Sequence, residues 1–279
     1  VSAFLLNRSS DLEIFIASVL VSCSCGENKQ EPEVEPKVEP EIPVSENYGT
    51  RVALKSAVTH VQPMTGIVLW NTSGSVKKSY VQLEYAYMLY SDVCREKDVY
   101  DWAPMDKLLK EAAARGHQVV VRFRYTYPGY SCAVPAYIKS WPGYEATNAK
   151  SEGRNTEFPD WRCDELQRFH MEFHRRFAER YDKDPRLAFV EIGFGLWAEY
   201  HIYDGPCVIG RTFPSHEFQA QFLPKMDEWF QDTPWLFSID ASDSKYAPFH
   251  KQKDLLNLHF GNLDDISRSE ERFSRNAET

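Results

Sequence analysis

Leu187-Ala-Phe-Val-Glu-Ile-Gly-Phe-Gly-Leu-Trp-Ala-Glu-Tyr-His201 is the stretch whose reading decides the fold. It opens as a buried apolar strand and closes on a carboxylate set among aromatic rings. Side chains alternate faces along a strand. Read as one extended segment, it puts Glu191, Gly193, Gly195, Trp197 and Glu199 on one face. In a parallel (β/α)8 barrel the working residues sit at the C-terminal ends of the strands. Glu199 is therefore the first candidate for a catalytic group.

Outward from this stretch, a strand-then-helix rhythm begins at about residue 51. Gly66–Trp70, Tyr80–Tyr90 and His117–Tyr125 read as the first three strands, and the stretch from Leu187 as the fourth. Trp235–Asp240 and Leu255–Phe260 read as the fifth and sixth. Asp101–Arg115 is a predicted helix that Asp101 can cap and Gly116 ends, with Leu108, Leu109, Ala112 and Ala113 at helical spacing. Asp164–Tyr181 is a longer one, with Leu166, Phe169, Phe173 and Phe177 on one face, and Glu217–Gln231 is the next. Strands alternating with helices predict a parallel sheet of the α/β class. No Gly-x-Gly-x-x-Gly or phosphate loop follows a strand, which argues against a nucleotide-binding fold. The expected architecture is a (β/α)8 TIM barrel. Such a barrel takes about 250 residues. With the sixth predicted strand at 255–260 and a polar stretch from Ser267 to Thr279, the expectation is a barrel truncated after about six strands.

Charges on the predicted strands suggest a network. Glu84 shares parity with Gln82, Ala86 and Met88, Arg122 with Arg124, and Glu191 with Glu199. If these faces point inward, Glu84, Arg122, Arg124 and Glu191 pair across three strands, as buried charges must. Such a network can be purely structural, or an arginine in it can hold a catalytic carboxylate or bind substrate. Eight residues of strand span roughly 26 Å. Glycosidase carboxyls lie about 5–5.5 Å apart in retaining enzymes and about 6.5–9.5 Å apart in inverting ones. Glu191 is thus excluded as the partner of Glu199. Asp240, ending the fifth strand, is a candidate, and His259 on the sixth is a candidate sugar-binding or proton-relaying neighbour.

The chain of 279 residues is 14% aromatic, with seven Trp, 15 Tyr and 17 Phe. That suits either a large core or a cleft for the apolar faces of sugar rings. The net charge of -9 argues against a nucleic-acid partner. Residues 27–46 hold seven Glu and two Lys, so much of the charge is local.

Ile14–Ser22 is an apolar run too short to span a bilayer and fits a signal-peptide core. Asp11 and Glu13 depart from the usual positive leader. Leu20-Val-Ser-Cys23 resembles a bacterial lipobox, with Cys23 as the lipidated residue. The Pro/Glu tract from Glu31 to Pro43 reads as an extended stalk. The expected organisation is a lipoprotein-type signal peptide over 1–23, a Pro/Glu-rich linker over 24–50, and the barrel over 51–279 with its C-terminal part missing. The expected location is exported and lipid-anchored, at the outer membrane or cell surface of a Gram-negative bacterium. In an oxidising compartment Cys94, Cys132, Cys163 and Cys207 could pair in three ways. No metal motif is convincing. His170 and His174 have i, i+4 spacing without the His-Glu-x-x-His context and read as surface or core residues. No cofactor is expected.

Several motifs together resemble a known group. Val99-Tyr-Asp-Trp102 with Leu108, Leu109 and Arg115-Gly-His117 is like a helix of clan-A-type glycoside hydrolase barrels. Arg122-Phe-Arg-Tyr-Thr-Tyr-Pro128, Phe177-Ala-Glu-Arg-Tyr181, Asp184-Pro-Arg186 and Ile192–His201 resemble glycosidase-like barrel domains of unknown function from bacterial exported lipoproteins. The resemblance covers about residues 64–265. It implies a (β/α)8 fold, an oligo- or polysaccharide partner, and Glu199 as the general acid/base of a glycoside hydrolase. Trp197 could raise the Glu199 pKa. Trp70, Tyr85, Trp197, Tyr200 and Tyr203 would stack on sugars, with Arg124 and His201 among the binding residues. Two departures stand out: Ala198 replaces the usual Asn, and the family's strand-seven nucleophile is not among these residues. The alternative is a non-catalytic glycan-binding lipoprotein on the same scaffold.

Overall fold

The computed structural model describes residues 63–263. The expected signal peptide, lipobox and Pro/Glu linker, and the polar C-terminal stretch, fall on residues outside those described. The strands, in chain order, are β1 (Ile67–Trp70), β2 (Val81–Leu89), β3 (Cys94–Glu96), β4 (Val99–Tyr100), β5 (Gln118–Arg124), β6 (Thr147–Ser151), β7 (Arg154–Phe158), β8 (Leu187–Ile192), β9 (Trp235–Ser238) and β10 (Phe260–Leu263). The longer helices are α1 (Ala103–Ala113), α2 (Asp164–Tyr181) and α3 (His216–Trp229).

Six strands form one sheet in the order β1-β2-β5-β8-β9-β10, every neighbouring pair parallel. The order follows the chain, as in the winding of a (β/α)8 barrel, and the sheet curls as a half-barrel. Its two faces differ. Val119, Val121, Phe123, Val190, Ile192, Trp235 and Phe237 pack with the apolar stripes of α1, α2 and α3. Leu83, Tyr85, Val120, Ala188, Phe189 and Leu236 form a separate inner cluster that includes no residue of a described helix. A doubly wound sheet would carry helices on both faces. β3 and β4 make a small hairpin between β2 and α1, and β6 and β7 make another between β5 and α2.

The sequence accounts for α2 well. Asp164 and Glu165 complement its positive N-terminal end and Arg180 its C-terminal end. Leu166, Phe169, Phe173 and Phe177 are fully buried. His170 and His174 are core residues too: Tyr125 Oη lies 3.0 Å from His170 Nδ1, and His174 Nδ1 lies 2.9 Å from the His170 carbonyl. Burial depresses both pKa values, that of His174 to about 4.

Three expectations are corrected here. Glu84 lies on the helix side of β2, opposite Tyr85, where Arg115 grips both its oxygens at 2.7 Å and His117 Nδ1 lies 2.8 Å away. It takes no part in a network with Arg122. Parity could not choose the inner face, because parallel strands are apolar on both sides. The sixth strand is Phe260–Leu263, and 253–257 forms a 3-10 turn instead. His259 therefore precedes the strand, with its side chain 92% exposed beside Asp227, at the sheet end opposite the expected site. Finally, Cys94, Cys132, Cys163 and Cys207 are all free thiols. No described helix is long and apolar enough to cross a membrane.

Candidate active site

The strand carrying the key stretch ends at Ile192, earlier than an extended reading requires. Beyond it the chain doubles back. Gly195 N–H donates to the Glu199 carbonyl at 2.8 Å, Leu196 N–H to the His201 carbonyl at 3.0 Å, and Glu199 N–H to the Leu196 carbonyl at 2.9 Å. Two glycines permit this. A Cβ on Gly193 would lie 1.8 Å from the Ala198 carbonyl oxygen, and one on Gly195 equally close to that of His201. Trp197 and Ala198 both sit in the left-handed region, at φ 54° and 58°. Such residues cost roughly 1–3 kcal/mol each unless the surroundings over-determine them. Here Trp197 N–H donates to the Thr126 carbonyl, Arg122 donates to the Trp197 carbonyl at 3.1 Å, and Tyr200 N–H donates to Ser238 Oγ at 2.8 Å.

The fold-back overturns the expected separation of Glu191 and Glu199. Arg122, 2% exposed, reaches both carboxylates. Its Nη2 donates to Glu191 Oε1, and its Nη1 lies 3.3 Å from Glu199 Oε1. Tyr85 Oη donates to Glu191 Oε2 at 2.6 Å, so Tyr85 is a buried support and not an exposed platform. Burial pushes the Glu191 carboxyl up to about 7, against the pull of Arg122 and Tyr85. Burial opposes the Arg122 charge, but Glu191 and the tyrosines outweigh it and hold the pKa high.

On its other side Glu199 meets His201 and Asp240. His201 Nδ1 lies 3.3 Å from Glu199 Oε2 and 2.9 Å from Asp240 Oδ2. One ligand atom from each of the three lies within 4.8 Å of the others. That donor set is of a kind that can hold a divalent cation, a grouping the sequence reading did not foresee. Asp240 comes from the 3-10 turn just after β9, close to its expected place at a strand end.

Aromatic rings surround this cluster. Tyr203, half exposed, stacks on Trp197 at 5.4 Å between ring centres and 17°. Tyr127 meets Trp197 edge-on at 6.2 Å and Tyr87 at 6.3 Å, and Tyr87 in turn lies 4.9 Å from Trp70. The rings run across the C-terminal ends of β1, β2, β5 and β8. Arg124, the last residue of β5, stacks against Tyr127 at 4.6 Å. Tyr200 is not part of this array: it is fully buried, and its hydroxyl donates to Gln219 at 2.9 Å.

The structure thus unites Glu199, His201, Asp240, Arg122, Arg124, Trp197 and Trp70 at one end of the sheet. It removes Glu84, His259 and Tyr200. Sequence reasoning missed Tyr87, Tyr127 and the β6–β7 hairpin, whose Glu152 accepts from the Tyr203 hydroxyl. The alternation of Tyr85 with Tyr87, and of Arg124 with Thr126, could have flagged the inner face.

No protein-family model matches the chain, and no curated protein does. Among solved structures, endo-glycoceramidase II from Rhodococcus sp. in complex with ganglioside GM3 aligns with a TM-score of 0.41 at 12% identity, over 59% of this chain and 42% of its own. Xylanase 10B from Thermotoga maritima aligns at 0.42 and 12%, over 66% and 52%. A beta-galactosidase from Marinomonas ef1 aligns at 0.40 and 11%, over 58% and 33%. These are glycosidases, the class the motifs resemble, and this chain spans about half or less of each. At such identity and overlap, the chemistry rests on the side chains of the site.

Proposed function

We propose that this chain acts on carbohydrate as a glycoside hydrolase, with Glu199 as general acid/base and Asp240 as its partner carboxylate. The observation that carries the reading is the convergence of Glu199, His201 and Asp240 within 4.8 Å at strand C-terminal ends. Glycosidic cleavage needs one carboxyl to protonate the leaving oxygen and a second to stabilise or attack the sugar carbon. The closeness of these two groups supports the shorter, retaining spacing of about 5–5.5 Å over the wider one that admits a water. Arg122, held by Glu191 and Tyr85, fixes Glu199 from behind. The stacked pair Trp197–Tyr203 offers a face for a sugar ring. As part of the same proposal, the lipobox-like Leu20–Cys23 supports a lipid-anchored, exported location.

A second reading, non-catalytic glycan binding, is favoured by one observation: Glu199 is only 4% exposed, with both oxygens already engaged. Glu199→Gln separates the two. Loss of reducing-end release from oligosaccharides with binding retained supports the enzyme. Binding without release in the wild-type protein supports the second reading.

A further inference from the structure

We infer that Arg124 marks a subsite for an anionic group, a carboxylate or a sulfate ester, on the sugar that occupies this cleft; the inference rests on the glycan reading above. Among the described residues, Arg115, Arg122, Arg168, Arg175, Arg186 and Arg211 are all partly or fully buried, and each has a carboxylate within ion-pair distance. Arg124 is also partly buried, yet it makes no ion pair or side-chain hydrogen bond with any described residue. Its Nε is buried without a hydrogen-bond partner, as are those of Arg122 and Arg211, but these two hold carboxylates on their other nitrogens and Arg124 does not. Its guanidinium instead packs on two rings, Tyr127 at 4.6 Å and Tyr87 at 5.8 Å between the guanidinium carbon and the ring centre.

Burying a charge without a partner is costly, so such charges in folded proteins are paired or serve a ligand. Burial lowers the Arg124 pKa, and Tyr87, Tyr127 and Tyr130 oppose this only in part, ahead of any carboxylate. Asp92, the carboxylate that acts on it, is exposed and beyond ion-pair range.

Position places Arg124 beside the candidate site. Arg124 lies two residues beyond Arg122 on the same strand, so both side chains share the inner face of the sheet. Arg122 is committed to Glu191 and Glu199, whereas Arg124 stands at the strand's C-terminal end among the rings. The rings hold its plane and leave the fork of donors for an oxyanion, which guanidinium binds in two parallel hydrogen bonds. A neutral sugar hydroxyl would satisfy one donor and leave the charge uncompensated.

The test is an array of neutral, uronate-bearing and sulfate-bearing oligosaccharides probed with the full chain at low and high salt. The expected result is preference for an acidic class, weakened by salt. Arg124→Gln should cut the acidic-over-neutral ratio by about tenfold or more, the scale of a lost charge-assisted hydrogen bond. Arg124→Lys, which keeps the charge but not the fork, should retain the salt dependence with a smaller ratio. Preference for uronate assigns the carboxylate, and preference for sulfate assigns the ester. Wild-type binding that is equal or tighter for neutral sugars overturns the inference alone. So does a folded Arg124→Gln protein with an unchanged ratio. Absence of binding to any glycan overturns the glycan reading and this inference with it.

Discussion

Glu191 and Glu199, eight residues apart in sequence, meet across a single guanidinium, that of Arg122. The two carboxylates do different work. Glu191 is fully enclosed and engaged by Tyr85 and Arg122. Glu199 faces His201 and Asp240. The arrangement fixes the loop after β8, because Arg122 also binds the Trp197 carbonyl.

Removing Arg122 should therefore destabilise the protein well beyond an ordinary surface change. Arg122→Met leaves Glu191 buried without its cation, so it must take up a proton or remain an unpaired charge; at pH 9 the cost should be on the order of 3–5 kcal/mol. Urea unfolding at pH 9 checks this. A loss under about 1 kcal/mol would mean the pair is not structurally coupled.

The glycine pair makes a sharper prediction. Gly195→Ala places a methyl against the His201 carbonyl at an impossible 1.8 Å. The backbone must open, displacing Glu199 and His201 together. Activity should fall by about a hundredfold for a displacement near 1 Å, with a smaller effect on far-ultraviolet circular dichroism. Gly74→Ala, with nothing within 4 Å of the added Cβ, is the control and should be neutral.

Buried histidines and a buried carboxyl give stability opposite pH dependences. His174 has a folded pKa of about 4, below its unfolded value of about 6.5, so the unfolded state binds more protons between them. Its contribution is present above pH 6.5 and is lost as pH falls towards 4. His170 acts in the same direction. Glu191, raised to about 7, binds more protons when folded. Its contribution is present below about pH 4.5 and is lost as pH rises through 7. Chemical denaturation of the wild type and His174→Phe between pH 4 and 7 checks the signs. The variant should lose less stability on acidification; an equal loss would place the acid sensitivity elsewhere.

Much of the fold was legible because its signals are local. The Leu166, Phe169, Phe173, Phe177 stripe located α2 at its observed bounds, Asp164–Tyr181. The strand starts at Leu187 and Trp235 also stand where apolar runs placed them. The end of β8 was not legible, since Gly193-Phe-Gly-Leu continues the apolar run while its glycines allow a fold-back that parity cannot express. Glu199 and Asp240 were singled out one at a time as candidates. Their closeness depends on that fold-back, so neither their geometry nor the His201 bridge could be read. His259 failed because Leu255–Phe260 looks like a strand, whereas only Phe260–Leu263 pairs with β9.

The most direct test of the central claim is azide rescue of Glu199→Gly on a series of dinitrophenyl glycosides. Their leaving group needs no proton, so a missing acid matters little to the first step. The account predicts that the variant loses about 10²–10⁴-fold on oligosaccharides, keeps the first step on dinitrophenyl glycosides, and is accelerated by azide. Equal loss on both substrate types with no azide effect, or no loss on either, would contradict it.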